Sequence, residues 1–334
     1  MVLLLNRRIT LSDVALKAGV SRATASAVLS GKAGKGIRVS EDRMKDVIAA
    51  ANSLGYVPNT AAQHLKKGDD NHIIALFTYE NIFPSDYGSE YYHFFLGIQQ
   101  EAEREDYDVL ILNNWARDKS RSSRIRLASG AIMIGVNRDD SDIRALIRQD
   151  FPLVFVGRRD IGESLPIHFV TFAYKEAVTE IIELVSAKAN GSISYVSSCF
   201  SSAEPSADKS YYLHESAEKR GIEVVDIVVS DSLSDDDIRT VLSSSVVIFD
   251  RLFIADLFKS AFMARGIVPG RDIFGAILED DWMNTHSEWT RWENRRSELG
   301  ALSVRYLVSL LSGKEMIPEE IKIPIIESQS TLGV

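Results

Sequence analysis

Two capped helical segments around a single glycine fill residues 10–30, and few folds accommodate that order. Thr10 is suited to cap a helix start, and Asp13 three residues on can return a hydrogen bond to it. Val14, Ala15 and Ala18 then share one helical face, which predicts a narrow apolar stripe. Gly19 supplies the turn, because without a Cβ it enters the left-handed region at no steric cost. Ser21 caps a second helix whose Ala25, Val28 and Leu29 face the first. A third helix is expected from Ser40 through Val47, Ile48, Ala51 and Leu54, stopping at Gly55. The sum is a three-helix unit with a helix-turn-helix inside it. Such a unit sets the N-terminal end of its second helix into the major groove of duplex DNA.

Charge points the same way by an independent route. Residues 1–68 hold 11 lysines and arginines against 4 acids, within a chain whose net charge is −9. A basic head on an acidic body is the electrostatic footprint of phosphate binding, and the acidic body repels DNA. The stretch Gly31-Lys32-Ala33-Gly34-Lys35-Gly36-Ile37-Arg38 has the glycines and lysines of a nucleotide loop. It lacks a Gly-Lys-Ser/Thr step and a preceding strand, so it is taken as a flexible basic loop, one that can touch the DNA backbone.

The run Thr10-Leu11-Ser12-Asp13-Val14-Ala15, Gly19-Val20-Ser21, Thr24-Ala25-Ser26-Ala27-Val28-Leu29, followed by Tyr56-Val57-Pro58-Asn59 and Ala61-Ala62-Gln63-His64-Leu65, resembles the headpiece and hinge of LacI/GalR-family transcriptional regulators. The resemblance implies base reading by Arg22, Ala23 and, one turn on, Ala27, with Arg22 suited to a bidentate contact on guanine. Ala27 stands where arginine is common, so the usual half-site does not carry over. Ser21, Thr24 and Ser26 offer short hydroxyls for phosphates, which fix register. Asn59 to Lys66 resembles the hinge helix, too short to hold alone and ordered on DNA. There Ala61 and Ala62 allow close approach of two copies, Leu65 is the minor-groove wedge, and Lys66 and Lys67 sit beside phosphates.

Beyond the head, short apolar runs alternate with helical stretches. Candidate strands are Ile73–Thr78, Val109–Leu112, Ala131–Gly135, Leu153–Gly157, Ile193–Ser197, Glu223–Val229, Val246–Asp250, Ile273–Leu278 and Lys322–Ile325. Strands separated by amphipathic segments mean βαβ crossovers and buried parallel sheets. About 260 residues suit two doubly wound lobes rather than one. The expected fold is therefore α/β: a three-helix helix-turn-helix headpiece (1–57), a hinge helix and linker (58–71), and a two-lobed core (72–334). The resemblance makes that core periplasmic-binding-protein-like. Its first lobe is expected over about 72–172 and 284–318, and its second over about 173–283 and 319–334.

Ligands of doubly wound sheets bind beyond the carboxyl ends of the strands, here in the cleft between lobes. The resemblance puts Tyr79, Asn113, Trp115, Arg158, Asp208, Asp250 and Glu279 at that cleft and implies a small-molecule effector, a sugar or related metabolite. Several positions depart from the family pattern. Ala173 replaces an acidic helix start, Asp208 falls near the place of an effector-gripping arginine, and Asn190-Gly191 replaces Gly-His. Carboxylates at 208, 250 and 279 favour a cationic or polyhydroxyl ligand, whereas Arg158 and Arg159 argue for an anion. Both remain open from sequence. Of Trp115, Trp282, Trp289 and Trp292, one at most is expected to touch ligand. Glu279-Asp280-Asp281 is taken as a solvated strand end rather than a metal site, and Asp235-Asp236-Asp237 as a helix start favoured by the macrodipole.

The remaining features narrow the class. Met1-Val2-Leu3-Leu4-Leu5 is too short for a signal core, and no run approaches membrane-spanning length. A single cysteine, Cys199, fits a reducing cytoplasm. His64, His72, His93, His168, His214 and His286 form no ligand-spaced pair, and no Gly-x-Ser-x-Gly or Gly-x-Gly-x-x-Gly stretch occurs. No enzyme, metal or cofactor is expected. The expectation is a cytoplasmic DNA-binding regulator, a repressor, acting as a homodimer on a palindromic operator with an effector in the interlobe cleft and no membrane partner. The alternatives are an effector-independent regulator whose core only dimerises, and a solute-binding protein.

Overall fold

The computed structural model describes residues 9–30, 39–57, 70–78, 91–112, 122–135, 140–162, 165–198, 204–230, 232–282, 285, 288–314 and 316–333. The chain divides into two compact units, Met1–Asn71 and His72–Val334.

In the first unit, helices α1 (Leu11–Lys17), α2 (Arg22–Leu29) and α3 (Glu41–Leu54) form where the caps require. The Thr10–Asp13 capping box is complete: the Thr10 N–H donates to the Asp13 carboxylate at 2.8 Å, and the Asp13 N–H donates to Oγ1 of Thr10 at 3.4 Å. Gly19 has φ +64°, the conformation the turn needs. Ser21 Oγ accepts from the Thr24 N–H at 3.0 Å. Val14, Ala15, Ala25, Val47, Ala50 and Ala51 are the buried centre, flanked by Leu11, Val20, Val28, Leu29, Leu54 and Tyr56. One expectation fails here. Ile48 is 49% exposed and Ala50 lies in the core instead, because the inward stripe of α3 runs 47, 50, 51, 54 and position 48 is a full residue step off it. The loop 31–38 lies outside the described residues.

The second unit holds two six-stranded sheets. In the first, β1 (Ile73–Phe77), β2 (Asp108–Leu112), β3 (Gly130–Met133), β4 (Leu153–Val156), β5 (His168–Phe172) and β11 (Glu319–Ile321) lie in the order β11-β5-β4-β3-β1-β2, all parallel. In the second, β6 (Ser192–Ser198), β7 (Glu223–Val229), β8 (Val246–Phe249), β9 (Phe274–Asp280), β10 (Thr290–Trp292) and β12 (Ile325–Ile326) lie in the order β12-β10-β9-β8-β6-β7. Only β12 runs antiparallel to its neighbour. Helices α4 (Tyr92–Arg104), α5 (Asp140–Ile147) and α10 (Arg296–Leu311) cover the first sheet. Helices α6 (Tyr174–Ser186), α7 (Glu204–Glu218), α8 (Asp235–Val241), α9 (Leu252–Ala264) and the short α11 (Gln329–Leu332) cover the second. The acidic start at 235–237 is capped by Ser234.

Three strands were not expected: β5, β10 and β11. The candidate Lys322–Ile325 shrinks to a two-residue β12. These short pieces also correct the lobe assignment. Thr290–Trp292 pairs within the second sheet although it falls inside 284–318, and Glu319–Ile321 pairs within the first although it falls inside 319–334. The chain crosses between sheets three times, at Phe172–Tyr174, Trp292–Arg296 and Ile321–Ile325. Backbone bonds tie the crossovers together: the Ala173 N–H donates to the Ile321 carbonyl at 2.9 Å, and the Glu293 N–H to the Pro324 carbonyl at 2.8 Å.

Two contacts fix the flanks of this crossover region. Helices α4 and α10 meet at Gly97 and Gly300; a Cβ on Gly97 would lie 1.9 Å from the Ser297 carbonyl oxygen. At the other end Ser330 Oγ donates to the Gly275 carbonyl and accepts from the Thr290 N–H, each at 2.7 Å, pinning α11 to the sheet edge.

Candidate functional site

Helix α2 presents its N-terminal end to solvent. Ser21, Arg22 and Ala23 are exposed, while Ala25 turns inward. Thr24 is half-buried, its hydroxyl 2.8 Å from that of Ser21, and Ser26 is also half-buried. The capped start thus leaves the Arg22 guanidinium and the Ala23 methyl as the side chains available beyond the first turn. Ala27 does not join them. It is 5% exposed, and a methyl so covered offers no surface to a base edge.

In the second unit a cavity of about 120 Å³ opens where the crossovers meet the strand ends. Its walls come from both lobes: Phe94, Gly157, Arg158 and Arg159 with the first sheet, and Lys209, Arg251, Leu278 and Glu279 with the second. Phe172, Tyr174, Trp292 and Arg296 are supplied by the crossovers themselves. One wall is aromatic. The Tyr174 and Trp292 rings lie 5.6 Å apart, Phe172 meets Tyr174 edge-on at 6.0 Å, and the Lys209 ammonium sits 5.9 Å over Trp292.

The facing wall is ionic, and its carboxylates are engaged. Glu279 pairs with Arg251 at 3.0 Å and with Arg296 at 3.2 Å, and accepts from the Leu252 N–H at 2.7 Å. Asp280 takes the Arg296 Nε–H at 2.8 Å. Behind the cavity, fully buried Asp250 is held by Lys209 Nζ at 2.8 Å and by Ser206 Oγ at 2.8 Å, while Lys209 also donates to the Asp250 and Leu278 carbonyls. At the rim Arg158 forks onto Asp208, at 3.0 Å and 2.5 Å.

Burial by itself raises a carboxyl's pKa, and for Glu279 the charges of Arg251, Arg296 and Lys209 outweigh it, so the group lies below its ordinary value. Asp250 is likewise lowered, burial being overcome by Lys209 and Ser206. Asp280 is raised: burial dominates, the neighbouring Glu279 charge adds, and Arg296 offsets only part. Burial pushes the Tyr174 hydroxyl well up, so it stays protonated as a donor.

The family described as bacterial regulatory proteins, lacI family, matches residues 10–59, the stretch that holds the whole of α1 to α3. The head of the chain, residues 10–59, is that of the LacI family. Among its relatives is the sucrose operon repressor of Klebsiella pneumoniae, 29% identical over 191 residues, 54% of this chain and 52% of that protein. The chain thus matches about half the length of that relative. The fold agrees over nearly the full length with the lac repressor dimer bound to operator and the anti-inducer ONPF (TM-score 0.73, 20% identity, 97% of this chain and 99% of that one). It agrees also with the transcriptional regulator CelR–cellobiose complex (TM-score 0.63, 19% identity, 97% and 100%).

The expected site residues divide into three groups. Arg158 and Glu279 line the cavity, and Asp208 reaches its rim through Arg158. Asp250 is enclosed behind Lys209 and touches no open space, so it positions the site and does not face a ligand. Tyr79, Asn113, Trp115, Asn59, Ala62, Leu65 and Lys66, with Ala61, Lys67 and Cys199, lie outside the described residues. Among the tryptophans Trp292 lines the cavity, whereas Trp289 is packed against Phe249 and Phe262 in the core. Sequence reasoning missed Tyr174, Lys209, Arg251, Asp280 and Arg296. Arg251 did leave a signal, a cation directly after a buried apolar strand. Glu279 and Asp280 are not a solvated strand end; both are buried and bound by arginines.

Proposed function

We propose that this protein is a sequence-specific DNA-binding transcriptional regulator, a repressor, whose homodimer binds a palindromic operator and takes a small-molecule effector in the interlobe cavity. The observation that carries the reading is the exposed Ser21-Arg22-Ala23 start of α2, within a basic head that matches the family over 10–59. Arg22 would read a guanine edge in the major groove. Ser21, Thr24 and Ser26 would bind phosphates. The 59–66 segment would serve as the hinge helix with Leu65 as its wedge, on the strength of the family resemblance. That the neighbouring relatives include a sucrose operon repressor and a regulator complexed with cellobiose supports an effector in the second unit. So does a cavity walled by both lobes and lined with convergent charged groups, which a purely dimerising core has no need of. Among the described residues no helix is long and apolar enough to cross a membrane, which fits action in the cytoplasm.

Selection of binding sites from a random duplex library with the full-length protein tests this reading. Enrichment of a palindrome with a kinkable central step is the expected result. A library that emerges unenriched at low salt, with and without candidate effectors, refutes it.

A further inference from the structure

Five helices of the second unit begin at the cavity wall. Tyr91, the cap of α4, lines it, as do Tyr174 at the start of α6, Pro205 in the first turn of α7, Arg251 capping α9 and Arg296 opening α10. All five helices have 13 or more residues, so each directs a positive macrodipole end at the same space. The formal charges have the same sign. The lining holds Arg158, Arg159, Lys209, Arg251 and Arg296 against Glu279 and Asp280. Behind the lining, Asp208 pairs with Arg158 and Asp250 with Lys209. Two neutral donors complete the lining. The Trp292 indole N–H is buried with no acceptor among the described residues, and the Tyr174 hydroxyl, kept protonated by burial, is a second donor. Positive ends, a lining with more cations than carboxylates, and a buried donor without an acceptor all ask for the same thing, a ligand rich in acceptor oxygens and negatively charged.

We infer that the effector is a small organic anion, a carboxylate or phosphate ester carried on a ring or hydroxylated chain, whose C–H face packs on Tyr174 and Trp292 and whose charged group meets the arginines. This rests on the cavity being the effector site. It assigns Asp208 a role as well: Asp208 occupies the Arg158 fork at the rim, and an entering anion competes with it for the same guanidinium.

The test uses one carbon skeleton in three charge states. D-glucose, D-gluconate and D-glucose 6-phosphate, with inorganic phosphate as the minimal anion, are titrated into the full-length protein at constant ionic strength, reading tryptophan fluorescence and melting temperature. At least one of the two organic anions is expected to bind about tenfold or more tighter than glucose, and which one separates carboxylate from phosphate recognition. Asp208→Asn should tighten that anion several-fold and Arg158→Gln should weaken it about tenfold, opposite signs that general unfolding does not produce. Glucose binding as tightly as both organic anions, or tighter, overturns the charge assignment and leaves the effector cavity standing. No response to any probe at millimolar concentration overturns both.

Discussion

Lys209→Met removes the one ammonium that faces Asp250, and the consequence can be worked from the geometry. Lys209 is 3% exposed and Asp250 is fully buried, with Nζ 2.8 Å from the carboxylate. In the variant the carboxylate keeps Ser206, and Tyr195 beside it, but no cation within pairing distance on that side. Deleting one partner of a buried pair costs about 3–5 kcal/mol, a large share of the roughly 5–15 kcal/mol that holds a domain together. The pH dependence should change sign too. In the parent the Asp250 pKa lies below its ordinary value, so its contribution is present at neutral pH and is lost only as pH falls through the folded-state value. In the variant burial is opposed by the Ser206 hydrogen bond and the Arg251 charge alone of the groups that lower it in the parent, and the folded-state value is expected to rise above the unfolded one. The penalty is then full above the raised folded-state value and shrinks as pH falls through it toward the unfolded one. Urea unfolding followed by tryptophan fluorescence reads this directly, since Trp115, Trp282, Trp289 and Trp292 all belong to the second unit. Lys209→Met/Asp250→Asn should be less damaged than the two single changes added together, by about 2 kcal/mol. A loss under about 1 kcal/mol at pH 7, with the parent's pH slope, would refute the account of this pair.

Other perturbations address the head and the crossover. Arg22→Ala should relax selectivity at one base pair of the half-site by about 1–3 kcal/mol, measured over a set of single-substituted operators; a uniform loss on every sequence would assign Arg22 to a phosphate. Ser21→Ala removes the acceptor of the Thr24 N–H and should cost the head about 1 kcal/mol, seen as faster hydrogen exchange in α2, with no change in the unfolding of the second unit. Gly97→Ala forces α4 from α10, because its Cβ would meet the Ser297 carbonyl at 1.9 Å. A destabilisation of at least about 1–3 kcal/mol in urea is expected, and a neutral outcome would mean the helices do not pack this closely.

The head was legible because its determinants are local. Thr10, Asp13, Gly19 and Ser21 act within four residues of themselves, and each fell where the pattern put it. Ile48 was misplaced because α3 carries more apolar residues than its inward stripe 47, 50, 51, 54 can take, and only the packed form says which are inside. In the second unit most strands of four or more residues announced themselves by continuous apolar runs, whereas β5, with His168 and Thr171 inside it, did not. The three-residue β10 and β11 and the two-residue β12 are too short for any periodicity, and they are the pieces that carry the chain between lobes. The cavity was obscure for the same reason. Tyr174, Trp292 and Arg296 stand at crossovers, and Lys209 is indistinguishable in sequence from any helical lysine until β8 and β9 bring Asp250 and the Leu278 carbonyl to it. Asp208, Asp250 and Glu279 were found, but of their partners only Arg158 was. Ligand charge was therefore ambiguous from sequence.

Those pairings also set how the two lobes are coupled. Among the described residues two arginines join them directly: Arg158 beyond β4 to Asp208 on α7, and Arg296 on α10 to Glu279 and Asp280 on β9. They differ in strength by burial. The Arg158 and Asp208 side chains are 43% and 19% exposed, so the rim pair contributes about 0–1 kcal/mol. Arg296 is 7% exposed between two carboxylates of similar burial, and breaking it would strand buried charge at a cost of about 3–5 kcal/mol. Separating the lobes is therefore cheap at the rim and expensive at the crossovers, which favours rotation about the crossover side over translation. A ligand biases such a rotation only by binding one lobe angle better than the other, and about 1.4 kcal/mol of difference already shifts the ratio tenfold. One charge-assisted hydrogen bond at Arg158 is of that size. The weaker of these links and the most accessible cation of the cavity are the same residue, so on the proposed function ligand capture and lobe angle would be governed by a single competition for one guanidinium.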